Sequence, residues 1–501
     1  MRTSVAMTAS TDQILGDHLL RDDGQEDVCL ALYRDSTGID RRTGLIRSVS
    51  LPHPGDRAVH GDASFTGAYV LRVAADAAAE GCGVAVLHSH PGGRGWQAMS
   101  PSDADAERSY AHLVHEITGR PLLGMTLAGA DRRWSARYWT GAWEASWAES
   151  VRVIGETLDV SWNDSLRGVP RIEDSQARTV TAWGPEVQAS IARLRVLVIG
   201  AGSVGLDVAL RLAASGIQHV AVMDFDTVEI VNLDRLIGAN LLDALLHRSK
   251  VEVAQRLLGR TATASDRENP AYDDSICELT GHAKALDYDL IFSCVDRPWP
   301  RSVLNGMAYA DLIPVIDGGL HIDSFPDGGM RNATWRSHVI RPGRPCLACN
   351  RQLELGEVAL DRDGLLDDPE YIRNARRGTV PARQNVATLS VSAVGSMLAQ
   401  FVSFVAAPGG MGEPGPVQYV LSTHTQTHLR PVSQPNCFFE QNVAVGDRRL
   451  VLTGRHAAAC RHRDYRRAVQ GRLPLRMLRL AANGLEIASS VLEALATRVR
   501  A

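Results

Sequence analysis

At 501 residues the chain exceeds what one hydrophobic core supports, so two or three domains are expected. An apolar share of 45%, a charged share of 22% and a net charge of −4 fit a globular protein and argue against a nucleic-acid-binding chain. No run of 18 apolar residues predicts a membrane span, and MRTSVAMTASTDQ lacks the basic-then-apolar pattern of a secretory signal.

The first 150 residues alternate strand-like and helix-like stretches. DVCLALYR (27–34) and GVAVLHSH (83–90) read as strands, while SFTGAYVLRVAADAAAEG (64–81) and SDADAERSYAHLVHEITG (102–119) have helical spacing. On the second strand His88 and His90 alternate and so share a face, a bidentate start for zinc. Beyond a Gly-rich loop, Ser100 and Asp103 enter a helix. Asp103 would be the third ligand, leaving a fourth position for water, which describes catalytic rather than structural zinc. Glu26, ahead of the first strand, is the candidate general base. Ser102 and Asp105 repeat the Ser-x-x-Asp pattern, so Asp105 is an alternative ligand, and Ser100 and Ser102 are both favoured helix caps. This set (upstream Glu, His-x-His-Pro, Ser-x-x-Asp) resembles the MPN/JAB (JAMM) isopeptidases. The resemblance implies a JAB-like α/β zinc metallopeptidase domain over 1–150, in which Glu26 deprotonates the attacking water and Ser100 assists the oxyanion. Nine residues separate His90 from Ser100, against the seven usual in that family.

Residues 151–177, mixed and polar with Gly168 and Pro170, are expected to be a linker. From 178 the βα alternation of a parallel sheet resumes, with RVLVIG, HVAVMD, DLIFSCVD and LIPVIDGG as buried strands. In RVLVIGAGSVG (195–205), Gly200, Gly202 and Gly205 allow a tight turn that brings backbone N–H groups to a phosphate at a helix N-terminus. Asp224 ends the next strand, where ribose hydroxyls would lie. To this point an NAD-dependent oxidoreductase fits equally well. DFDTVEIVNLDR favours a triphosphate instead, because the acidic pair Asp224 and Asp226 is followed by the donors Asn232 and Arg235. Lys250, one of two lysines in the chain, stands at a predicted helix start, where an ammonium could meet phosphates. Asp296 lies at the C-terminal tip of a further strand, where α/β sheets bind ligands, and could hold magnesium.

These motifs, in this order, resemble the adenylyltransferase family of ThiF, MoeB and the ubiquitin-activating enzymes. The resemblance implies a Rossmann-like adenylation domain over 178–439. It gives Asp224 the ribose, Asn232, Arg235 and Lys250 the phosphates of ATP, and Asp296 the Mg2+. It makes Arg178 an arginine that reaches a partner protomer's site, hence a homodimer. The family's usual Gln after the Arg is Leu236 here. The implied reaction adenylates the C-terminal carboxylate of a ubiquitin-like protein, and the implied partners are that protein and a conjugating enzyme, with no nucleic acid and no membrane.

The eight cysteines are few and clustered, which fits a reduced, cytoplasmic protein. Cys346 and Cys349 form a CxxC corner suited to half of a structural zinc site. Cys437 is the expected third thiolate, with Glu440 or Cys460 as the fourth ligand, and a metal-free corner is the alternative. Relatives carry a reactive Cys in the loop before the helix NVATLSVSAVGSMLAQFV, yet residues 350–384 contain none. The expected reaction therefore stops at the acyl-adenylate, with Cys460, flanked by Arg461, His462 and Arg463, as the acceptor to test. Residues 440–501 read as an Arg-rich stretch and a helical end. The ten arginines of 447–479 are either a solvated face or a docking surface for an acidic partner.

The leading expectation is a bifunctional enzyme of a bacterial-type ubiquitin-like pathway, of a kind the resemblance associates with antiviral defence. It would adenylate the modifier and process or deconjugate it. The alternative is activation and trimming of a sulfur-carrier protein for cofactor biosynthesis. An NAD-dependent oxidoreductase and a non-catalytic scaffold with a dead metal site are the readings from other classes.

Overall fold

The computed structural model describes residues 1–60, 62–140, 144–368, 384–471, 475, 477–484 and 488. Its N-terminal half is a nine-stranded mixed sheet. In chain order the strands are β1 (Arg2–Thr8), β2 (Val28–Thr37), β3 (Arg41–Ser50), the separate hairpin β4 (Arg57–His60) and β5 (Asp62–Phe65), β6 (Gly83–His90), β7 (Leu122–Ala128), β8 (Arg133–Trp139), β9 (Ala145–Trp147), β10 (Ser150–Ile154) and β11 (Leu158–Trp162). They lie in the order β11-β10-β1-β3-β2-β6-β7-β8-β9. Alternation along β2 feeds two cores. Cys29, Ala31 and Tyr33 pack with Leu15 and Leu19 of one helix, while Val28, Leu30 and Leu32 pack with Tyr69, Val70 and Val73 of another. The helix expected over 64–81 spans Gly67–Glu80, because the Thr66 hydroxyl caps it by accepting from Tyr69 N–H and Gly81 ends it in the left-handed region at φ +60°.

The expected linker at 151–177 is corrected at its start. Residues Ser150–Ile154 and Leu158–Trp162 extend the sheet, β10 lying parallel to β1 with Val5 opposite Val151. Pairing there buries Ile154, Leu158, Val160 and Trp162 in the core of the second half. That apolar gain outweighs the polar residues that suggested a connector.

The second half is an eight-stranded sheet, ordered β14-β13-β12-β15-β16-β17-β18-β19. Its strands are β12 (Arg195–Ile199), β13 (His219–Met223), β14 (Ala271–Tyr272), β15 (Leu290–Ser293), β16 (Val315–Ser324), β17 (Met330–Ile340), β18 (Val417–Val420) and β19 (Thr425–His428). β12, β13, β15 and the start of β16 are parallel and fully buried, matching the four apolar runs, and β17 to β19 continue antiparallel. Helices Ser203–Ala214, Lys250–Thr261 and Ala387–Ala406 cover one face, and Pro298–Ala310 with the Cys346 corner covers the other. One described helix, Ala387–Ala406 at a mean hydropathy of 1.7, is long and apolar enough to cross a membrane by length and composition. It packs instead on β16, β17 and Ser203–Ala214, burying Val394, Met397, Phe401 and Phe404.

A polar seam joins the halves. The buried Arg41 guanidinium pairs with Asp289 and donates to the Leu286 and Tyr288 carbonyls, and Arg152 approaches Asp289 at 3.5 Å. Arg195 meets Glu149 at 2.7 Å, and Ser36 Oγ donates to Asp311 at 2.7 Å. The Arg-rich stretch docks on the chain's own acids. Arg449 pairs with Asp311, Arg461 with Asp367, Arg463 with Glu278, Arg466 with Asp273 and Arg479 with Glu252. Arg449, Arg463, Arg466 and Arg479 are thus at least partly covered, whereas Arg448, Arg455, Arg461 and Arg467 stay exposed as on the solvated face expected, and Arg472 and Arg476 lie outside the described residues. Of the helical end, residues 485–487 and 489–501 lie outside the described residues.

Candidate functional site

Two clusters of chemistry-bearing side chains form, one in each half. In the second half, β12 runs into a turn that needs its glycines. Gly200 has φ +94°, and a Cβ there would stand 2.5 Å from the Cys294 carbonyl oxygen. A Cβ on Gly205 would lie 1.8 Å from the Gly200 oxygen, whereas Gly202, at the N-cap of Ser203–Ala214, faces open space. The Asp224 carboxylate ties this turn to the acidic pair, accepting from Ala201 N–H and Asp226 N–H, each at 2.7 Å. Burial raises the Asp224 pKa against the pull of Lys250.

Lys250 is the first residue of Lys250–Thr261, whose N-cap Ser249 accepts from Glu252 N–H. Its Nζ reaches Asp226 Oδ2 at 2.7 Å. Burial opposes the ammonium, but the carboxylates of Asp224, Asp226 and Asp296 overcome it and raise its pKa. The structure thus brings Gly200, Gly202, Gly205, Asp224, Asp226, Lys250 and Asp296 together at the C-terminal ends of β12, β13 and β15. Asn232 and Arg235 stand on the same loop but are engaged within it. Asn232 Oδ1 accepts from Glu229 N–H at 3.0 Å, and Arg235 holds the Val231 oxygen and Asp234. Arg178, on helix Ala177–Trp183, is exposed and has no partner among the described residues.

In the first half, His88 and His90 end β6, and Asp103 sits in the first turn of helix Pro101–Thr118. The nearest Nε2 atoms of the two histidines are 3.3 Å apart, and each lies 3.7 Å from Asp103 Oδ2. A tetrahedral zinc with bonds of about 2.0–2.2 Å needs donor–donor edges of about 3.3–3.6 Å, so this triangle fits the ion. Asp103 is held by a capping box, in which Ser100 N–H donates to Oδ2 and the Ser100 hydroxyl accepts from Asp103 N–H. Ser100 is therefore first a cap that aims Asp103. Asp105 is exposed and pairs with Arg108, outside the cluster. Gln97 Oε1 lies 3.1 Å from His90 Nδ1, and its amide is fixed by the Arg94 and Gly95 carbonyls. With Nδ1–H donated to Gln97, Nε2 is left free for a metal. Asp103 raises the His90 pKa, with Gln97 and Glu26 adding to it. Burial works against the Asp103 carboxylate, but His88 and His90 hold it well below the usual range. Val28 pairs with His88 in the antiparallel β2–β6 ladder, so the same register carried outward sets Glu26 opposite His90. Sequence reading missed Gln97, which the His-then-Gln spacing around the Gly-rich loop does not reveal.

Comparison with known proteins sorts the two clusters. The description "ThiF family" matches residues 174–433, more than half of the chain. The chain belongs to the ThiF family. The molybdopterin-synthase adenylyltransferase of Escherichia coli K12 is 31% identical over 175 residues, covering 34% of this chain and 64% of that protein. The NEDD8-activating enzyme E1 catalytic subunit of Caenorhabditis elegans is 29% identical over 209 residues, covering 39% of this chain and 46% of that subunit. The chain thus spans less than two thirds of either relative. The solved structure of E. coli MccB with ATP aligns at a TM-score of 0.42 and 18% identity, covering 54% of this chain and 74% of that one.

The ThiF match takes in the whole nucleotide cluster and Arg178. It excludes the His88, His90 and Asp103 triangle, which lies in a separate α/β fold. Two further features lie toward its C-terminal side. The first is the cysteine corner, which straddles the end of the match, with Cys346 and Cys349 inside it and Cys437 and Glu440 beyond. Cys346, Cys349, Cys437 and Glu440 place their donor atoms within 4.8 Å of one another, with Cys346 Sγ and Cys437 Sγ at 3.4 Å. Cys349 N–H and Gln434 N–H donate to the sulfurs of Cys346 and Cys349, and Glu440 accepts from Cys346 N–H at 2.9 Å. Burial pushes the Cys349 thiol up to about 11 and the Cys346 thiol higher still, so the corner would ionise only on a cation. Three sulfurs and a carboxylate fit structural zinc with Glu440 as the fourth ligand. Cys460 is elsewhere, 3.8 Å from Glu278 Oε1 and 3.5 Å from Arg463.

The second feature is the arm His456–Gln470, which docks beside the nucleotide cluster although nothing in the sequence placed it there. His462 Nε2 lies 3.7 Å from Asp226 Oδ1, and the Phe225 ring meets His456 and His462 at 5.0 and 5.7 Å. Cys460 therefore stands on a helix that touches this site. Part of the loop expected to carry the reactive cysteine in relatives, residues 369–383, lies outside the described residues.

Proposed function

We propose that this chain is a bifunctional enzyme. Its ThiF-family half adenylates the C-terminal carboxylate of a ubiquitin-like protein with ATP and Mg2+, and its N-terminal half is a zinc (iso)peptidase that acts beside that C-terminus. The observation that carries the reading is the coexistence, in one chain, of the Asp224–Asp226–Lys250–Asp296 cluster and a His88–His90–Asp103 triangle of zinc-like dimensions.

In the adenylation site the glycine turn presents N–H groups at a helix N-terminus, Asp224 would hold the ribose, Lys250 and Arg235 would offset phosphate charge, and Asn232 would donate a hydrogen bond to a phosphate oxygen. Asp296 would hold Mg2+, which would draw charge from the phosphate oxygens when bound. Catalysis of this kind is mostly positioning and charge stabilisation, so no protein nucleophile is required for the first step. In the peptidase site His88, His90 and Asp103 would hold zinc, which supplies Lewis acidity. Glu26 accepts the proton of the attacking water and returns it to the leaving amine. Ser100 keeps Asp103 aimed and can donate to the developing oxyanion.

The enzyme works as a cytoplasmic homodimer in which the unpartnered Arg178 reaches the neighbouring protomer's nucleotide. Mixing Arg178→Ala with Asp296→Ala protomers then restores activity that neither has alone. A sulfur-carrier protein is the second substrate reading, favoured by the similarity to a molybdopterin-synthase adenylyltransferase. The first test is ATP–pyrophosphate exchange dependent on a small Gly-ended carrier protein, together with chelator-sensitive cleavage of that protein's C-terminal fusions. Absence of both in zinc-replete protein overturns the reading.

A further inference from the structure

A ring of three side chains closes on the start of the phosphate-facing helix. Ser203, the first residue of Ser203–Ala214, meets Asn385, which leads into helix Ala387–Ala406, and Ser390 within that helix. Asn385 Nδ2 donates to Ser203 Oγ at 3.0 Å, the Ser390 hydroxyl donates to Asn385 Oδ1 at 2.7 Å, and the two hydroxyls stand 3.1 Å apart. The lengths tell the two ends of the amide apart, since the shorter suits O–H···O and the longer N–H···O. Ser390 is buried, and Ser203 and Asn385 are half-buried. One residue earlier, Gln384 Oε1 accepts from Ser324 Oγ at 2.5 Å. The Asn385 amide is thus held by its own ring and by an anchored neighbour.

An amide nitrogen carries two hydrogens. One goes to Ser203, and no acceptor among the described residues takes the other. Beside it the helix start has N–H groups without intrahelical partners, and Gly202, its N-cap, has open space where a Cβ would stand. With the ribose at Asp224, the α-phosphate is the group that reaches this helix start. We propose that Asn385 is a catalytic residue of the adenylation site, whose second amide hydrogen donates to a non-bridging oxygen of the α-phosphate while the serine ring aims it. This rests on the adenylation reading. In that reaction a carboxylate oxygen of the carrier bonds to the α-phosphorus. The bond from that phosphorus to the bridging oxygen breaks, and pyrophosphate leaves with the electron pair. Asn385 transfers no proton. It stabilises the crowded phosphoryl oxygens, and an amide already oriented needs no rearrangement to do so.

The test is ATP–pyrophosphate exchange with the small Gly-ended carrier protein, run on the full-length chain beside calorimetric binding of a non-hydrolysable ATP analogue with magnesium. Asn385→Ala should lower kcat about a hundredfold, the scale of one lost oxyanion donor, and move the KM for ATP by less than about threefold. Asn385→Asp separates the donor from the ring. Its carboxylate still accepts from both serine hydroxyls, so a merely structural amide predicts more activity than in Asn385→Ala. A donor to phosphate predicts less, because a negative charge then meets the α-phosphate. Ser203→Ala opens the ring and keeps the amide, so it should lose less than Asn385→Ala. Unchanged kcat in Asn385→Ala, Asn385→Asp at or above the Asn385→Ala rate, or a larger loss in Ser203→Ala would each overturn the proposal. Should Asn385→Asp fail to fold, a loss in Asn385→Ala carried by the KM for ATP overturns it. Wild-type protein that neither binds the analogue nor exchanges pyrophosphate overturns the adenylation reading instead.

Discussion

The two charged clusters differ in how ready they are. The N-terminal triangle is preformed: three donors point at one volume, and a capping box and Gln97 hold two of them from behind. In the nucleotide cluster the cations are tied to acids of their own chain, Lys250 to Asp226 and Arg235 to Asp234. On the proposed reading the first site would need only an ion to fill it, whereas the second would exchange ion pairs as its ligand arrives. Metal binding should therefore tolerate changes around the triangle that leave its donors in place, while nucleotide binding should respond to every charge that competes for Lys250.

The sharpest way to separate the two is Glu26→Gln. It removes the proposed proton acceptor and no proposed ligand, so cleavage should fall by about 10²–10⁴-fold while zinc content and pyrophosphate exchange stay at wild-type levels. Full cleavage by this variant would remove Glu26 from the mechanism. Next, the seam that lets the clusters share one chain should break at Asp289→Asn, which leaves Arg41 and Arg152 buried without their carboxylate. A loss of about 3–5 kcal/mol in chemical denaturation is expected. The sign of its pH dependence follows from the folded state. Burial raises the Asp289 pKa, but Arg41, Arg152 and Arg195 outweigh it and hold the carboxyl below its unfolded value. Its stabilisation is complete above an unfolded pKa of about 3.9 and fades as pH falls toward the lower folded pKa. The gap between wild type and variant should shrink below about pH 4, and a gap that widens there would refute the assignment.

Lys250→Ala should cost the nucleotide site about 3 kcal/mol, more than a hundredfold in exchange, and leave zinc and cleavage untouched. Retained exchange would mean that another cation meets the phosphates. The smallest effect should come from Asp105→Ala, which keeps zinc by elemental analysis, set against Asp103→Ala, which loses it. The reverse result would move the third ligand along the helix.

Much of this was written locally. The four parallel strands, the glycine turn, the His pair on one strand face and the Ser100–Asp103 cap all arise from neighbours a few residues apart, where period and propensity speak directly. The sequence also named Asp103 ahead of Asp105 and offered Glu440 as a fourth ligand, but the choice came from the fold, since spacing alone leaves both pairs open. The strands at Ser150–Ile154 and Leu158–Trp162 escaped notice because their apolar residues gain burial only against the second half's core. The docking of His462 at Asp226, and the pairing of the Arg-rich arm with scattered acids, had no trace in the sequence at all. Contacts between distant segments depend on how layers stack and on which charges that stacking brings within a few ångströms, and no periodicity along the chain encodes either.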